Sequence, residues 1–521
     1  MRATRSSPPP WIIGLAVLLP VGFSPPAAPG QQSANDESAP TTQPAGTATS
    51  QPTTQPSQKG KPKQGFPTSA PASKPLRGPK YLNLRYDEDF SYLDGPKGSY
   101  RKDLFDPIKW IHLTKDLTLT LGGEIRTRLE AETNKAFGST EPAQDTFFLH
   151  RYRLHADLRY RKLARVFVEG ISAHIEDRDL RLLGIHENRY DLHQLFIDFR
   201  LLGEKVPLTV RVGRQELQYG KQRLISPLGW ANTRRRFDAV KLFYRHEKFD
   251  LDFFYARPIP VSVAEGLNRK PDTFREEAHF YGIYGTYKGI PRHVLDLYIL
   301  GLNDKGDLTN ANGRVGDESV YTIGGRLGGH TGAMDYDGEL AGQWGKFAGD
   351  TVQAWGGAVD LGYTFKKLPF SPRFGGGFDF GTGDDDPTDE THGTFNQLFP
   401  LSHAYLGYID LFARQNVLAT NMNLTFKPIK KVTTRLEWLT FWNDSKRDAL
   451  FNAGGARVRR DPLGNSGHDI GNELDLTIKY AVDPHSSVLF GYSHFWGNNF
   501  IRTTGPSRDA DFFYLQYAFS F

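Results

Sequence analysis

The sequence of 521 residues contains no cysteine. This absence excludes disulfides, thiolate metal sites, cysteine nucleophiles and a lipid-anchored N-terminal cysteine. Long hydrophobic runs are also missing: the mean hydropathy is −0.50, and the apolar stretch at Trp11–Phe23 is shorter than the roughly 20 residues of a membrane-spanning helix. The formal net charge of +5 gives no indication of a nucleic-acid partner. The composition therefore argues against a helical membrane bundle and against thiol chemistry.

Catalytic signatures are missing as well. The chain contains neither a GxSxG elbow nor an HExxH helix nor a phosphate-binding glycine loop. Ser493 and His494 are adjacent and could suggest a lipase, but neighbouring residues of a strand point to opposite faces. We therefore expect no catalytic residue, no enzyme activity and no cofactor.

The N-terminal region predicts export followed by a disordered spacer. Arg2 and Arg5 precede the apolar stretch, and small residues follow it, so residues 1–30 are predicted to be a cleaved signal peptide; a short anchor helix is the alternative. Residues 31–75 are rich in Pro, Thr, Gln and Ser and cannot bury enough apolar surface to fold.

Strict alternation of apolar and polar residues begins at Leu117 and recurs to the C-terminus. In FLHRYRLHADLRYR, one face carries Tyr152, Leu154 and Leu158, while arginines, His155 and Asp157 occupy the other. Such runs are longer than the usual strand of about five or six residues and match the roughly 9–11 residues of a tilted strand that crosses a bilayer. We count about eighteen segments, an even number, joined by alternating tight turns and long connections. A soluble propeller or sandwich is the alternative, but it would not carry charge so regularly on one strand face.

The last strand supports the membrane interpretation. DFFYLQYAFSF places Phe513, Leu515, Tyr517, Phe519 and the terminal Phe521 on one face. An alternating aromatic strand that ends in Phe resembles the signal by which the barrel-assembly machinery recognises outer-membrane proteins. The sequence thus predicts an all-β transmembrane antiparallel barrel of about 18 strands in the outer membrane of a Gram-negative-type bacterium, with lipid around it.

The polar faces of these strands would line the barrel lumen, because closure leaves charge only on the water-filled side. Strand parity directs the following candidate substrate-pathway residues inward: Arg126, Arg128, Arg151, Arg153, Arg159, Arg211, Lys241, Arg245, Arg326, Arg435, Glu124 and Asp157. The first four arginines lie on two adjacent strands and face only Glu124 and Asp157, which predicts a local excess of cations. The alternative for each residue is pairing across neighbouring strands.

The segment WANTRRRFDAVKLFY is harder to place. Val240 and Leu242 are predicted to face lipid, which by parity would also turn Arg236 and Asp238 outward. We therefore expect these two residues at the external rim, or re-aimed by a bulge, with residues 218–234 forming a long external loop.

Three blocks resemble the alginate-export family of outer-membrane proteins. They are NLRYDEDFSYL with the following DPIKWIHL and LGGEIRTRLE, VGRQELQYGKQRLISPLGWANTRRRFDAVKL at 212–242, and GDDDPTDETHGTFNQLFPLSHAYLGYIDLFARQNV at 383–417. The resemblance implies an eighteen-stranded porin, with residues 76–113 as a periplasmic N-terminal segment and residues 114–521 as the barrel. The motif residues that it places at the barrel rim are Gly213, Arg214, Gln215, Tyr219, Gly220, Arg223, Trp230, Asn232, Arg236, Phe237, Asp238, Arg414, Gln415 and Asn416.

The acidic run GDDDPTDE offers calcium candidates in Asp384, Asp385 and Asp386, since calcium prefers carboxylates. It lacks the spacing of a defined calcium loop, which favours a solvated external loop and no metal. The sequence as a whole predicts a channel for diffusion or export of anionic saccharides or small organic anions. The alternatives are a general mixed-charge porin, an outer-membrane enzyme, or a surface receptor with a plugged barrel.

Overall fold

A computed structural model describes residues 77–261 and 271–521. The predicted signal peptide and the spacer at 31–75 lie outside the described residues.

Eighteen strands form a closed antiparallel barrel, as the alternation predicts. Each strand pairs with its neighbours in the chain, and the last strand pairs with the first through the register Glu124↔Ser520 to Thr133↔Asp511. The strands are β1 Leu117–Thr133, β2 Gln144–Tyr160, β3 Ala164–Glu176, β4 Asn188–Arg200, β5 Leu208–Gln215, β6 Phe237–Arg245, β7 Phe249–Pro258, β8 Ala278–Tyr287, β9 His293–Thr309, β10 Val315–Thr331, β11 Met334–Phe347, β12 Asp350–Thr364, β13 Arg373–Gly381, β14 Val417–Phe426, β15 Val432–Trp442, β16 Asp469–Ala481, β17 Ser486–Gly497 and β18 Ala510–Ser520.

The remaining elements are short. Ile111–His112 pairs with β1, Thr391–His392 pairs with β12, and Ala449–Phe451 pairs with Arg457–Arg460 in a hairpin. Helical turns span Arg85–Asp87, Ser91–Asp94, Asp106–Ile108, Lys135–Gly138, Ser402–Ala404 and Asn499–Thr503. No helix in the described ranges is long and apolar enough to cross a membrane.

Side-chain burial along the strands follows the predicted period of two. In β2, Tyr152 and Leu154 are exposed on the outer wall, whereas Arg151 and Arg153 are almost completely buried inside. The pattern arises because successive side chains of a strand point to opposite faces, and only the outer face meets lipid hydrocarbon.

Connections at the two ends of the barrel differ, as expected. The periplasmic end carries short turns at 161–163, 201–207, 246–248, 288–292, 332–333, 365–372, 427–431 and 482–485. The opposite end carries the longer segments, among them 216–236, 382–416 and 443–468, although 310–314 and 348–349 are short there too.

Two of the long segments fold into the barrel, which differs from the expectation of a long external loop at 218–234. Leu217, Leu224 and Ile225 are buried in one apolar cluster with inward-facing wall residues such as Phe254 and Phe280. A barrel of this size encloses a wide interior, so these loops supply the core that the strands alone cannot fill.

Candidate functional site in the barrel interior

The segments 216–236 and 382–416, here called the paired loops, bond to each other inside the barrel. Ile225 and Phe399 form a parallel bridge. The backbone N–H of Ser226 donates to the carbonyl of Phe399 at 2.9 Å, and the N–H of Phe399 donates to the carbonyl of Leu224 at 2.9 Å. The two loops therefore act as one body across the interior.

Arginines of the β1–β2 wall hold the first loop by its backbone. Both terminal nitrogens of Arg126 donate, at 3.1 Å in each case, to the carbonyls of residues 229, 230 and 231 and to Oδ1 of Asn232. Arg151 donates to the carbonyls of Gly229 and Ala231 at 3.2 and 2.8 Å. These arginines therefore contact protein carbonyls, whereas strand parity alone had suggested that they line an open solution.

A stack of three side chains joins this wall to both loops. The guanidinium of Arg128 lies 3.8 Å from the ring centre of Trp230, and its Nη1 donates to the Trp230 carbonyl at 3.0 Å. On the Trp230 ring lies the imidazole of His403, with ring centres 3.8 Å apart and nearly parallel. Cation–π and stacking contacts of this kind stabilise the docked position of Trp230.

Carboxylates balance the four wall arginines more fully than expected. Arg151 pairs with Glu124 at 2.6 Å, Arg128 pairs with Glu130 at 2.6 Å, and Arg153 pairs with the fully buried Glu169 at 2.7 Å. Asp157 pairs instead with Arg159 and Arg165. Within the described residues Arg126 bonds to carbonyls and to Asn232, so four arginines meet three carboxylates here and the local excess of cations is smaller than predicted.

Glu216 supplies a further buried carboxylate from the first loop. It accepts Nη2 of Arg234 at 2.9 Å and lies 3.7 Å from Arg153. Burial acts to raise the pKa of Glu216, but Arg234 and Arg153 outweigh it and hold that pKa well below its ordinary value. Glu216 thus stays ionised in the interior.

The opposite wall is acidic and receives arginines from the paired loops. Arg223 pairs with Asp337 at 2.6 Å, and also with Glu339 and Asp360. From the second loop, Nε of Arg414 donates to Asp379 at 3.0 Å. The loops are therefore held by wall arginines on one side and by wall carboxylates on the other.

The segment before β1 meets the paired loops from the periplasmic side. The Tyr86 hydroxyl donates to the carbonyl of Glu216 at 2.8 Å, and the Asn83 amide donates to Gln218 at 2.6 Å. Arg85 donates to the Ser520 hydroxyl at 2.6 Å. Residues expected to form a periplasmic segment thus lie partly within the barrel.

Two adjoining cavities open below this contact. The larger, at the periplasmic mouth, has a volume of about 980 Å³, and the smaller, beneath Tyr219 and Gly220, has about 240 Å³. The residues that line both are Asp87, Arg211, Phe243 and Arg245. Further lining of the small cavity comes from Lys241, which is 3.5 Å from Asp252. We call the two together the periplasmic vestibule.

The remaining inward candidates are ion-paired along the wall. Arg211 pairs with Asp198 at 2.6 Å, Arg326 pairs with Asp296 at 2.7 Å, and Arg435 pairs with Glu437 at 2.7 Å. Arg245 pairs with Asp252.

Several motif residues expected at the rim lie in the interior instead. Tyr219, Arg223 and Arg414 belong to the paired loops, and Phe237 is fully buried in the apolar cluster. Arg236 is fully buried and pairs with Asp191 and with Asp272 at 2.8 Å, so it does not point outward from the wall.

Other motif residues have local structural roles. Gly213 has φ +128°, and a Cβ there would lie 2.2 Å from the Leu195 carbonyl, so only glycine fits. Gly220 has φ +53°. The Gln215 amide donates to the Ala239 carbonyl at 3.2 Å.

The pair Arg214 and Asp238 lies at the loop end of β5 and β6. Arg214 donates to Asp238 through two nitrogens at 3.0 and 3.1 Å. Asn416 donates to the carbonyls of Ser445 and Ala449 and so ties the second loop to the segment 443–468.

The calcium candidates do not meet as a ligand set. In the described ranges, no three His, Asp or Glu side chains are grouped so that they could hold a metal ion. The backbone N–H of Asp384 donates to Asp448 at 3.0 Å. Burial and the neighbouring Asp448 raise the pKa of Asp384 to about 7.

Four residues of this site were not among the predicted candidates, although strand parity placed the first on the polar face: Glu130, Glu169, Glu216 and Arg234. Strand parity could have identified Glu169, because it alternates with Val166 and Val168 in β3 and has the same parity as Arg165. Nothing local identifies Glu216 or Arg234, since both lie beyond the alternating part of a strand.

Comparisons with known proteins agree with this architecture. Among solved structures, Pseudomonas aeruginosa OccD3 (OpdP) is similar with a TM-score of 0.52 and 11% identity over 77% of this chain and 91% of that one. Pseudomonas aeruginosa OpdO gives a TM-score of 0.51 at 11% identity, over 77% and 97% of the two chains. No curated protein sequence matches. At such low identity the structural likeness shows the fold alone.

The family comparison is more specific. The family described as alginate export matches residues 117–514, which is most of the chain and includes nearly the whole barrel. This match and the closed 18-strand barrel place the protein in the outer membrane as a channel, in contact with lipid. The chain therefore belongs to the alginate export family.

Proposed function

We propose that this channel passes anionic saccharides or small organic anions, by diffusion or by export. The observation that carries the proposal is the charge of the periplasmic vestibule. Its larger cavity is lined by eight Lys and Arg side chains and by five carboxylates, an excess of three cations. The first charged surface that a periplasmic solute meets is therefore basic.

The cations of the vestibule are suited to carboxylates. Arginine presents a planar set of donors that binds a carboxylate through two hydrogen bonds, and at physiological salt a charge acts over about 8 Å. Several of these side chains are accessible: Arg161 is about half exposed and lies beside Lys162 and Arg200. Trp110 and Phe243 add apolar surface against which a sugar ring can pack.

Charge reversal at the vestibule tests the proposal. The triple variant Arg161→Glu, Lys162→Glu and Arg200→Glu turns an excess of three cations into an excess of three anions. In planar bilayers the wild type should be weakly anion-selective, less so as salt rises, and the triple variant should become cation-selective. The matched control is Lys366→Glu with Lys367→Glu, on a periplasmic turn outside the cavity, which should leave the reversal potential unchanged.

An unchanged reversal potential in the triple variant would contradict the proposal and favour a general mixed-charge porin. The plugged-receptor alternative gains support from the paired loops, and it predicts no measurable conductance at all. The enzyme alternative finds no support in the pair Ser493 and His494, because Ser493 is buried on the inner face while His494 bonds to Asp511 at 2.7 Å on the outer side.

We also propose that the barrel-assembly machinery recognises the C-terminal strand. Phe521 exchanges two backbone hydrogen bonds with Gly123, at 2.9 and 3.1 Å, and so completes the closing seam. Its ring lies 5.3 Å from that of Phe105.

A further inference from the structure

A separate cavity opens at the outer end of the barrel, on the side of β9 to β12. Its volume is about 460 Å³, within the range of about 300–1,000 Å³ typical of ligand sites. The second of the paired loops and the segment 443–468 cover it. It shares no lining residue with the periplasmic vestibule.

The lining combines one guanidinium, several hydrogen-bonding groups and an apolar floor that contains Val320, Phe347, Val352 and Phe451. Arg457 and Gln415 lie on one side, and Glu318 accepts the Asn396 amide at 2.5 Å on another. The ring of His392 stacks on Phe347 at 4.3 Å, and its buried Nδ1 has no hydrogen-bond partner.

Two of these groups are able to bind a solute. The guanidinium of Arg457 donates once, from Nη1 to the Asn310 carbonyl at 2.9 Å, and no ion pair within the described ranges engages it. His392 is neutral near pH 7, because burial and the neighbouring Arg457 lower its pKa to about 4. Its ring lines the cavity, and a neutral imidazole offers one donor and one acceptor nitrogen to a hydroxyl group.

We propose that this outer cavity binds one polyhydroxylated monocarboxylate, that is, a sugar acid. The carboxylate bonds to Arg457, the hydroxyls bond to Glu318, Gln415 and His392, and one ring face packs on the apolar floor. Mixed acceptors and donors around an apolar surface suit a hydroxylated ring, and a single arginine suits a single carboxylate. The inference rests on the proposed function, since it names an anionic saccharide as the solute.

Arg460 provides a matched control for Arg457. Both arginines belong to the strand Arg457–Arg460, and both bond to the turn after β9: Arg457 to the Asn310 carbonyl and Arg460 to the Ala311 carbonyl at 3.0 Å. Only Arg457 lines the cavity. Loss of hairpin anchoring should therefore affect both variants, whereas loss of a ligand contact should affect Arg457→Gln alone.

Calorimetric titration of the folded protein in detergent tests the site, with D-glucuronate and glucose as probes. The wild type should bind glucuronate more tightly than glucose. Arg457→Gln should weaken glucuronate binding by about tenfold to a hundredfold, as expected for a charged hydrogen bond, and Arg460→Gln should bind like the wild type. Val352→Phe, which fills the cavity from β12, should weaken both sugars.

Equal affinity for both sugars in the wild type, or unchanged glucuronate binding in Arg457→Gln, would overturn the proposal. Equal losses in Arg457→Gln and Arg460→Gln would also overturn it, by assigning the effect to the hairpin. The reversal-potential experiment on the vestibule uses no sugar. A negative result in the sugar titration is therefore distinguishable from a negative result for the proposed function.

Discussion

The wall arginines Arg126 and Arg151 should control how much of the interior is open. Together they donate six hydrogen bonds to residues 229–232, four from Arg126 and two from Arg151. Arg126→Gln removes the first four, and the double variant with Arg151→Gln removes all six. We expect the first of the paired loops to detach from the β1–β2 wall more often as more of these hydrogen bonds are removed.

The magnitude follows from the number of bonds. Each hydrogen bond contributes about 0.5–1.5 kcal/mol net, and the freed carbonyls can bond to water in a hydrated lumen, so the lower value applies. Six bonds then contribute about 3 kcal/mol, which changes the ratio of docked to undocked loop by about a hundredfold. The apolar contacts of Leu224 and Ile225 remain, so detachment should be confined to the end of the loop near residue 230.

Single-channel recording measures the effect. Arg126→Gln should show larger and more variable conductance than the wild type, and the double variant should exceed it. The control Arg435→Gln removes the same charge from the lumen. In the described part of the chain Arg435 forms its ion pair with Glu437 of its own strand, so the conductance of this variant should stay near the wild-type value. Equal conductance in Arg126→Gln and Arg435→Gln would refute the idea that Arg126 holds the loop in place, because the loss of charge alone would then explain the result.

Three further predictions concern other parts of the chain. Deletion of Phe521 removes the last backbone pair of the seam and should leave unassembled periplasmic protein on a heat-modifiability gel; a normally folded barrel would contradict the role of the terminal strand. Ser493→Ala and His494→Ala should cause only a small loss of stability, and loss of a lipase activity in either purified variant would revive the enzyme alternative. Because the pKa of Asp384 is raised from 3.8 to about 7, its contact with Asp448 should be most stable below pH 3.8 and weaken as pH rises through 7. Hydrogen exchange at residues 382–386, corrected for the intrinsic rate, should show this loss between pH 5 and pH 8. Asp384→Asn should reduce the loss and leave the part due to Asp448, whose pKa is also raised by burial.

Local periodicity was sufficient to predict the barrel. A strand such as β2 must present apolar side chains to lipid at every second position. The alternation in its sequence therefore predicts both that the segment is a strand and which of its faces meets lipid. The tight turns were predictable for the same reason, since they interrupt the alternation for only a few residues. The inward direction of Arg126 and Arg151 also follows from parity alone.

What those arginines contact could not be predicted. Their partners are mainly backbone carbonyls of the first loop, and a carbonyl has no sequence signature. The segment TRRRFD suggested an external rim because strand parity turned Arg236 and Asp238 outward and residues 218–234 were expected to form a long external loop. Its arginines have partners, but these come from distant places: Glu216 pairs with Arg234, and Asp191 pairs with Arg236. Only the closed barrel brings them together.

The same contacts explain what the motif GWANTRRRFD does. Asn232 accepts a hydrogen bond from Arg126 and donates to the carbonyls of His150, His174 and His186, which seals the loop against three neighbouring elements. Trp230 joins the wall to the second loop through its stack. The motif thus encodes insertion of the loop into the lumen, and no part of it lines the periplasmic vestibule. Substitutions in the motif should therefore change conductance more than ion selectivity. Substitutions at the vestibule should change ion selectivity more than conductance.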